Sequence, residues 1–298
     1  MKIGIDMGGS HIAIATVNNE GKIVKKIEQD LLENQRNTQY ILNYVDKAIE
    51  ELSKTVNIDG IGIACPGNAE GSKIQNLVNL SIPEIDFKEL EKKYQVRIKS
   101  INDAKAAAIA EKTYGALRKS NDCVFLCLGT GIGGAVFLGN QLLMASRNPG
   151  FELGHMVIEK EGIECKCGKR GCFETYCSMK RFKENISRAL EQIAPEEHIE
   201  NGAQLKRMLE KYIHSAEISQ IVESYIDNLV IGLSNVIDIF EPETICLGGS
   251  FVYFEDILYK DLMIEMRNRR YVFNKQELPK IELAKLGNDA GIIGATLI

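Results

Sequence analysis

The sequence places three cysteines within eight positions, Cys165, Cys167 and Cys172, in the run "CKCGKRGC". Thiolates so spaced can hold a soft divalent cation, and structural zinc takes four tetrahedral nitrogen and sulfur ligands. Gly168 and Gly171 let the loop wrap tightly around an ion. His155, ten residues upstream of Cys165, is the expected fourth ligand. His11, His198 and His214 fall in a hairpin or in helical, charged surroundings. Cys177 is the alternative ligand, although it lies where the next helix should begin. In a reducing compartment such a cluster suits metal better than disulfides. The remaining cysteines, Cys65, Cys123, Cys127 and Cys246, sit in apolar, strand-like runs and read as small core hydrophobes. Glu152 and Glu174 flank the metal loop, and spacing alone gives them no task.

A second chemistry is suggested by glycine turns. Asp6 precedes Gly8-Gly9, where exposed backbone amides can cradle phosphate oxygens and the carboxylate can hold hydrated magnesium. The plainer alternative is a β-hairpin turn with a solvated Asp. Gly129, Gly131 and Gly134 have the G-x-G-x-x-G spacing of a dinucleotide site, but the strand-like run "AVFLGNQLL" follows them. A Rossmann site needs a helix there to meet the pyrophosphate, so an oxidoreductase is not expected. In "INDAKAAAIAE", Asp103 closes an apolar strand and opens a helix, a place for a base or merely a helix cap.

The elements that must position these residues follow from hydrophobic period. Residues 3–7, 11–17 and 22–29 read as three sequential strands, 38–54 as an amphipathic helix, and 59–67 as a strand ending at Pro-Gly. A helix at "FKELEKKY", a strand at 96–103 and an alanine-rich helix stopped by Gly115 follow. The pattern restarts at residue 123. Strand, glycine turn, strand recurs as "FLCLGTGIGGAVF", echoing "IGIDMGGSHIAIA". Residues 178–240 are mostly helical, 243–251 form a buried strand meeting glycines, and a helix at 255–270, a strand near 280–285 and a closing helix from 289 complete the chain. Two α/β domains of related plan are expected, facing a central cleft. The first spans 1–116 with the closing helix at about 288–298, and the second spans 117–287 with the metal loop.

Composition narrows the function classes. At 298 residues, 45% apolar and 26% charged, the chain is an ordinary globular one. A net charge of −5 gives no electrostatic footprint for nucleic acid or an anionic membrane. The N-terminus lacks a secretory signal, and no run approaches the roughly 18 apolar residues of a membrane span. A cytoplasmic protein is expected.

Taken in order, "DMGGSH" (6–11), "GIACPG" (62–67), "NDAKAAAIAE" (102–111), "GTGIGGA" (129–135), "ELGHM" (152–156), "CKCGKRGCFE" (165–174) and "LGGSF" (247–251) resemble the ROK family of sugar kinases and related repressors, within the actin-like ATPase superfamily. The resemblance runs essentially the whole chain. It implies an ATP-dependent transfer to the primary 6-hydroxyl of a hexose, with Asp103 as base. It also implies that Asn102, Glu152, His155 and Glu174 hold the sugar, with Gly67, Asn68 and Asn79 nearby. Asp6, Gly8, Gly9, Ser10, Thr130 and Gly131 would surround the ATP phosphates and magnesium, and Gly248 and Gly249 the adenosine. His155, Cys165, Cys167 and Cys172 would hold structural zinc. A homodimer is implied as well. Glucose or a related aldohexose is the first expected substrate; N-acetylmannosamine or another N-acetylhexosamine, allose and fructose are alternatives. Ser10 where threonine is commoner keeps the hydroxyl, and Cys177 replaces a usual small residue. The repressor branch carries a winged-helix domain before the first strand, and here that strand begins at residue 3. A sugar-binding module without catalysis should have lost the base, which Asp103 retains.

Overall fold

The computed structural model describes residues 1–145, 151–272 and 277–298. They form two compact units. Unit one comprises Met1–Lys119, Met144 with Ala145, and Lys285–Ile298; unit two comprises Ser120–Leu143 and Phe151–Ala284.

Unit one is built on strands β1 (Lys2–Met7), β2 (His11–Val17), β3 (Ile23–Asp30) and β4 (Gly60–Cys65), with helix α1 (Thr38–Ser53) before β4. Strand period two explains why β2 is apolar on both faces. Ile12 and Ile14 pack with Ile41, Val45 and Ile49 of α1. Ala13, Ala15 and Val17 face Ile292 on the opposite side. Asn37 caps α1, its side chain accepting the Tyr40 N–H.

A small antiparallel sheet, β5 (Asn68–Glu70), β6 (Lys73–Leu77) and β7 (Ile82–Asp86), follows β4. Hydrophobic patterning gave no sign of it, because these strands are short and only Ile74, Leu77, Ile82 and Ile85 face the core. Helix α2 (Lys88–Tyr94), β8 (Ile98–Asn102) and helix α3 (Asp103–Thr113) complete the first run. The main sheet has the order β3-β2-β1-β4-β8; β1, β4 and β8 are parallel, and β2 and β3 antiparallel.

Unit two repeats this plan. Strands β9 (Cys123–Leu128), β10 (Ile132–Leu138) and β11 (Gln141–Leu142) form an antiparallel meander. Helices α4 (Phe173–Cys177), α5 (Met179–Ile193), α6 (Gly202–Tyr212) and α7 (Ala216–Phe240) lead to β12 (Thr244–Gly248), helix α8 (Glu255–Asn268) and β13 (Lys280–Leu283). The order β11-β10-β9-β12-β13, with β12 parallel to β9 and β13, matches that of unit one. Phe173, Phe182 and Tyr225 tie α4, α5 and α7 into its core, the last two rings 4.6 Å apart. The chain ends in α9 (Ala290–Ala295), which belongs to unit one.

Candidate active site and metal centre

In unit one the sheet register brings the candidate residues to one edge. Asp6 pairs with Ala64, Ala64 with Ile101, and Cys65 with Asn102, so the carboxyl ends of β1, β4 and β8 lie side by side. That is where open α/β sheets bind ligands. From these ends come Asp6 with the Gly8-Gly9 turn, Gly67 with Asn68, and Asn102 with Asp103. The turn is closed by the Gly8 N–H donating to the His11 carbonyl at 2.8 Å. Ser10 is exposed beside it, and its carbonyl accepts the Leu31 N–H. Gly9 lies against Asn79, whose Cβ would stand 2.8 Å from a Cβ there. Asn68 opens β5, opposite Gln75.

Asn102, not Asp103, caps α3: its side-chain oxygen accepts the Lys105 N–H at 3.2 Å. Asp103 is the first helical residue, its Oδ1 accepting the Ala104 N–H at 2.8 Å. The N-cap of α3 is thereby Asn102 and not Asp103.

The Asp103 charge reaches Asp6. Burial, reinforced by the charge of Asp103, pushes Asp6 up to about 7, while His11 and Lys26 pull weakly the other way. Burial also raises Asp103, against the Ala104 N–H and the Asn102 side chain, which favour its charged form. Two half-buried acids so placed call for a cation, and that fits a phosphate-bound magnesium. Gly291, at the start of α9, packs directly on Asp6, and any side chain there would strike its carboxylate. Sequence reasoning missed this contact; the small-residue run "DAGIIGA" was its only signal.

Unit two gathers a second set. The Gly129–Gly131 turn joins β9 to β10, closed by the Gly129 N–H donating to the Gly131 carbonyl at 2.9 Å. A strand follows it, so the dinucleotide reading is excluded by structure as it was by pattern. Thr130 is exposed at its tip. Gly248 pairs with Cys127 at the end of β9, and Gly249, at φ +72°, packs on Leu128, so both glycine turns share one edge.

Glu174 is held here by α4. Phe173 and Cys177 of that short helix are fully buried, which fixes its pose. Burying a phenyl ring contributes roughly 1.5–3 kcal/mol. The Glu174 Oε2 accepts the Ile132 N–H at 2.9 Å and lies against Gly131, where no Cβ has room. One of its oxygens therefore braces the turn. Gly154 likewise packs on the Ile132 backbone, pressing the Leu153–His155 helical turn against β10. Glu152 precedes that turn and is exposed.

His155, Cys165, Cys167 and Cys172 converge, with one ligand atom from each lying within 4.8 Å of the others. Cys167 and Cys172 Sγ are 3.6 Å apart, and His155 Nδ1 is 3.7 Å from Cys165 Sγ. Burial and the neighbouring thiols push Cys172 up to about 12, whereas the Lys169 N–H lowers Cys167. Three sulfurs and an imidazole gathered this closely match the tetrahedral donor set of structural zinc. Cys177 is not among them: it is buried at the end of α4, 3.9 Å from the Tyr225 carbonyl. Of the cysteines read as core, Cys65, Cys123 and Cys246 are buried and Cys127 only partly so.

A family model described as the ROK family matches residues 2–298. The chain is 30% identical to the glucokinase of Thermotoga maritima, over 99% of this chain and 96% of that one. It is 25% identical to the xylose repressor of Caldicellulosiruptor bescii, over 98% of this chain and 76% of that one. The solved structure of a ROK hexokinase from Thermus thermophilus superposes with a TM-score of 0.81 at 26% identity, covering 99% of this chain and 96% of that one. With its two α/β units of like strand order, the chain belongs to the ROK family and carries the actin-like ATPase fold of the family's sugar kinases.

Proposed function

We propose that the protein is an ATP-dependent sugar kinase that phosphorylates the primary 6-hydroxyl of a hexose, with glucose or a related aldohexose as substrate. The observation that carries this reading is the Asp6–Asp103 pair at the carboxyl edge of the unit-one sheet, with Asp103 freed from capping duty. The glucokinase and hexokinase among its relatives support the same reaction.

Phosphoryl transfer asks a protein for positioning and charge neutralisation more than for covalent chemistry. In this reading Asp103 accepts the proton of the attacking hydroxyl. Its raised pKa makes it a better base than a solvated carboxylate. Asn102, Glu152, Glu174 and His155 hold the sugar hydroxyls, with Gly67, Asn68 and Asn79 beside them. The amides of the Gly8-Gly9 and Thr130-Gly131 turns, with Ser10, hold the phosphates, and Gly248-Gly249 lies against the adenosine. Magnesium beside Asp6 would supply charge neutralisation to the phosphates. Zinc on His155, Cys165, Cys167 and Cys172 would be structural, fixing Glu174 and the Glu152 loop in place. The active species is a homodimer.

A panel of hexoses and N-acetylhexosamines with MgATP tests the reaction. We expect turnover of glucose or a close aldohexose, and loss of about 10²–10⁴-fold in Asp103→Asn with sugar binding retained. No turnover of any sugar by the folded, zinc-loaded protein would sink the reading. A second reading, a sugar-responsive regulator, is supported by the xylose repressor among the relatives. It predicts sugar binding without ATP consumption, in the same assay.

A further inference from the structure

Glu111 lies in α3, eight residues after Asp103, and is wholly buried. A carboxylate removed from water must be matched by donors, and here these are backbone amides. Its Oε2 accepts the Ala116 N–H at 2.8 Å. Its Oε1 accepts those of Lys285 and Leu286 at 2.7 and 2.8 Å. The Glu111 carbonyl also accepts those of Gly115 at 3.0 Å and Leu117 at 3.1 Å.

These five amides come from two stretches far apart in sequence. Residues 115–117 lie where the chain runs toward unit two, which starts at Ser120. Residues 285–286 lie where it resumes unit one, at Lys285. From there the chain enters α9, whose Gly291 packs on Asp6. The helix that begins with Asp103 is thus bound, through one side chain, to the segment that delivers α9 to Asp6. Gly115 has no room for a side chain, because the Glu111 carboxylate occupies that space.

We propose that Glu111 is a positioning residue for the phosphoryl transfer: it ties the outgoing and returning segments of unit one together and so sets Asp103 against Asp6. The kinetic part of this proposal rests on the kinase reading; the structural part does not.

The test compares Glu111→Ala, which removes all three side-chain bonds, with Glu111→Gln, which keeps one acceptor oxygen for the returning segment. Hydrogen exchange is followed on peptides covering 112–118 and 283–290, and steady-state kinetics use glucose with MgATP. In Glu111→Ala, exchange should rise at least about tenfold in both peptides together, while β1 and β4 stay protected. Its kcat should fall at least about tenfold with both KM values within about threefold, as expected for misplaced reacting groups. In Glu111→Gln, the 112–118 peptide should loosen more than 283–290, and kcat should lie between the other two.

Loosening of one peptide only in Glu111→Ala, or of neither, would overturn the tie. Loosening of both with unchanged kcat would overturn the positioning role. If Glu111→Ala does not fold, Glu111→Gln decides alone: unchanged exchange at 112–118, or unchanged kcat, overturns the proposal. Absence of glucose turnover in the wild type would count against glucose kinase activity instead, and the exchange arm would still decide the tie.

Discussion

Replacing Asp6 by Asn should stabilise the ligand-free protein, and increasingly so as pH rises. Burial and the Asp103 charge lift Asp6 from its ordinary 3.8 to about 7. The folded state therefore holds this proton at pH values where the unfolded chain has lost it. Between those two values the folded state binds more protons, so stability falls with rising pH. The cost is absent below about pH 4 and complete above about pH 7. One pKa unit corresponds to about 1.4 kcal/mol, so the full penalty is about 4 kcal/mol, of which about 1.5–2 is already present at pH 5. The advantage of Asp6→Asn over the parent should therefore grow by about 2–3 kcal/mol from pH 5 to pH 8. Constant packing differences between the two side chains cancel in that comparison. Urea unfolding without nucleotide or magnesium, followed by far-UV circular dichroism because the chain has no tryptophan, measures it. An advantage that is equal at the two pH values would refute the argument that Asp6 is a desolvated acid.

Two further outcomes are expected. Elemental analysis should find about one zinc per chain in the wild type and none in Cys167→Ser; a zinc-free wild type of full activity would remove the metal site. Gly131→Ala should drive Glu174 off the turn, costing roughly 1–3 kcal/mol and raising the KM for ATP about tenfold or more. A normal KM in that variant would show that the Glu174–Ile132 contact does not shape a nucleotide site at the Gly129–Gly131 turn.

Much of the fold was legible because its strands and helices carry strong periodicity. The duplicated strand–glycine–strand opening anticipated two sheets of one plan, and β1, β2, β9 and β10 fall where alternation placed them. The β5–β7 sheet was not legible: its strands are short, half-exposed and stabilised by pairing with each other. The cluster of His155, Cys165, Cys167 and Cys172 could be picked out because metal chemistry constrains residue type and local spacing together. Glu152 and Glu174 could be noticed but not explained, since neither has a local pattern.

Sequence by itself determined the candidate residue types: cysteines with a histidine, carboxylates at strand ends, glycines at turns. Those choices are enforced locally, by ligand chemistry, backbone conformation and period. Only the tertiary structure decided the relations among them. It showed that Asn102, not Asp103, takes the cap, and that Gly291 closes on Asp6 from the far end of the chain. It gave Glu174 a backbone amide to hold, and it drew amides from residues 116 and 285 onto one buried carboxylate. Each depends on contacts between segments distant in sequence, where hydrogen bonding and desolvation act through space and leave no periodic trace in the chain.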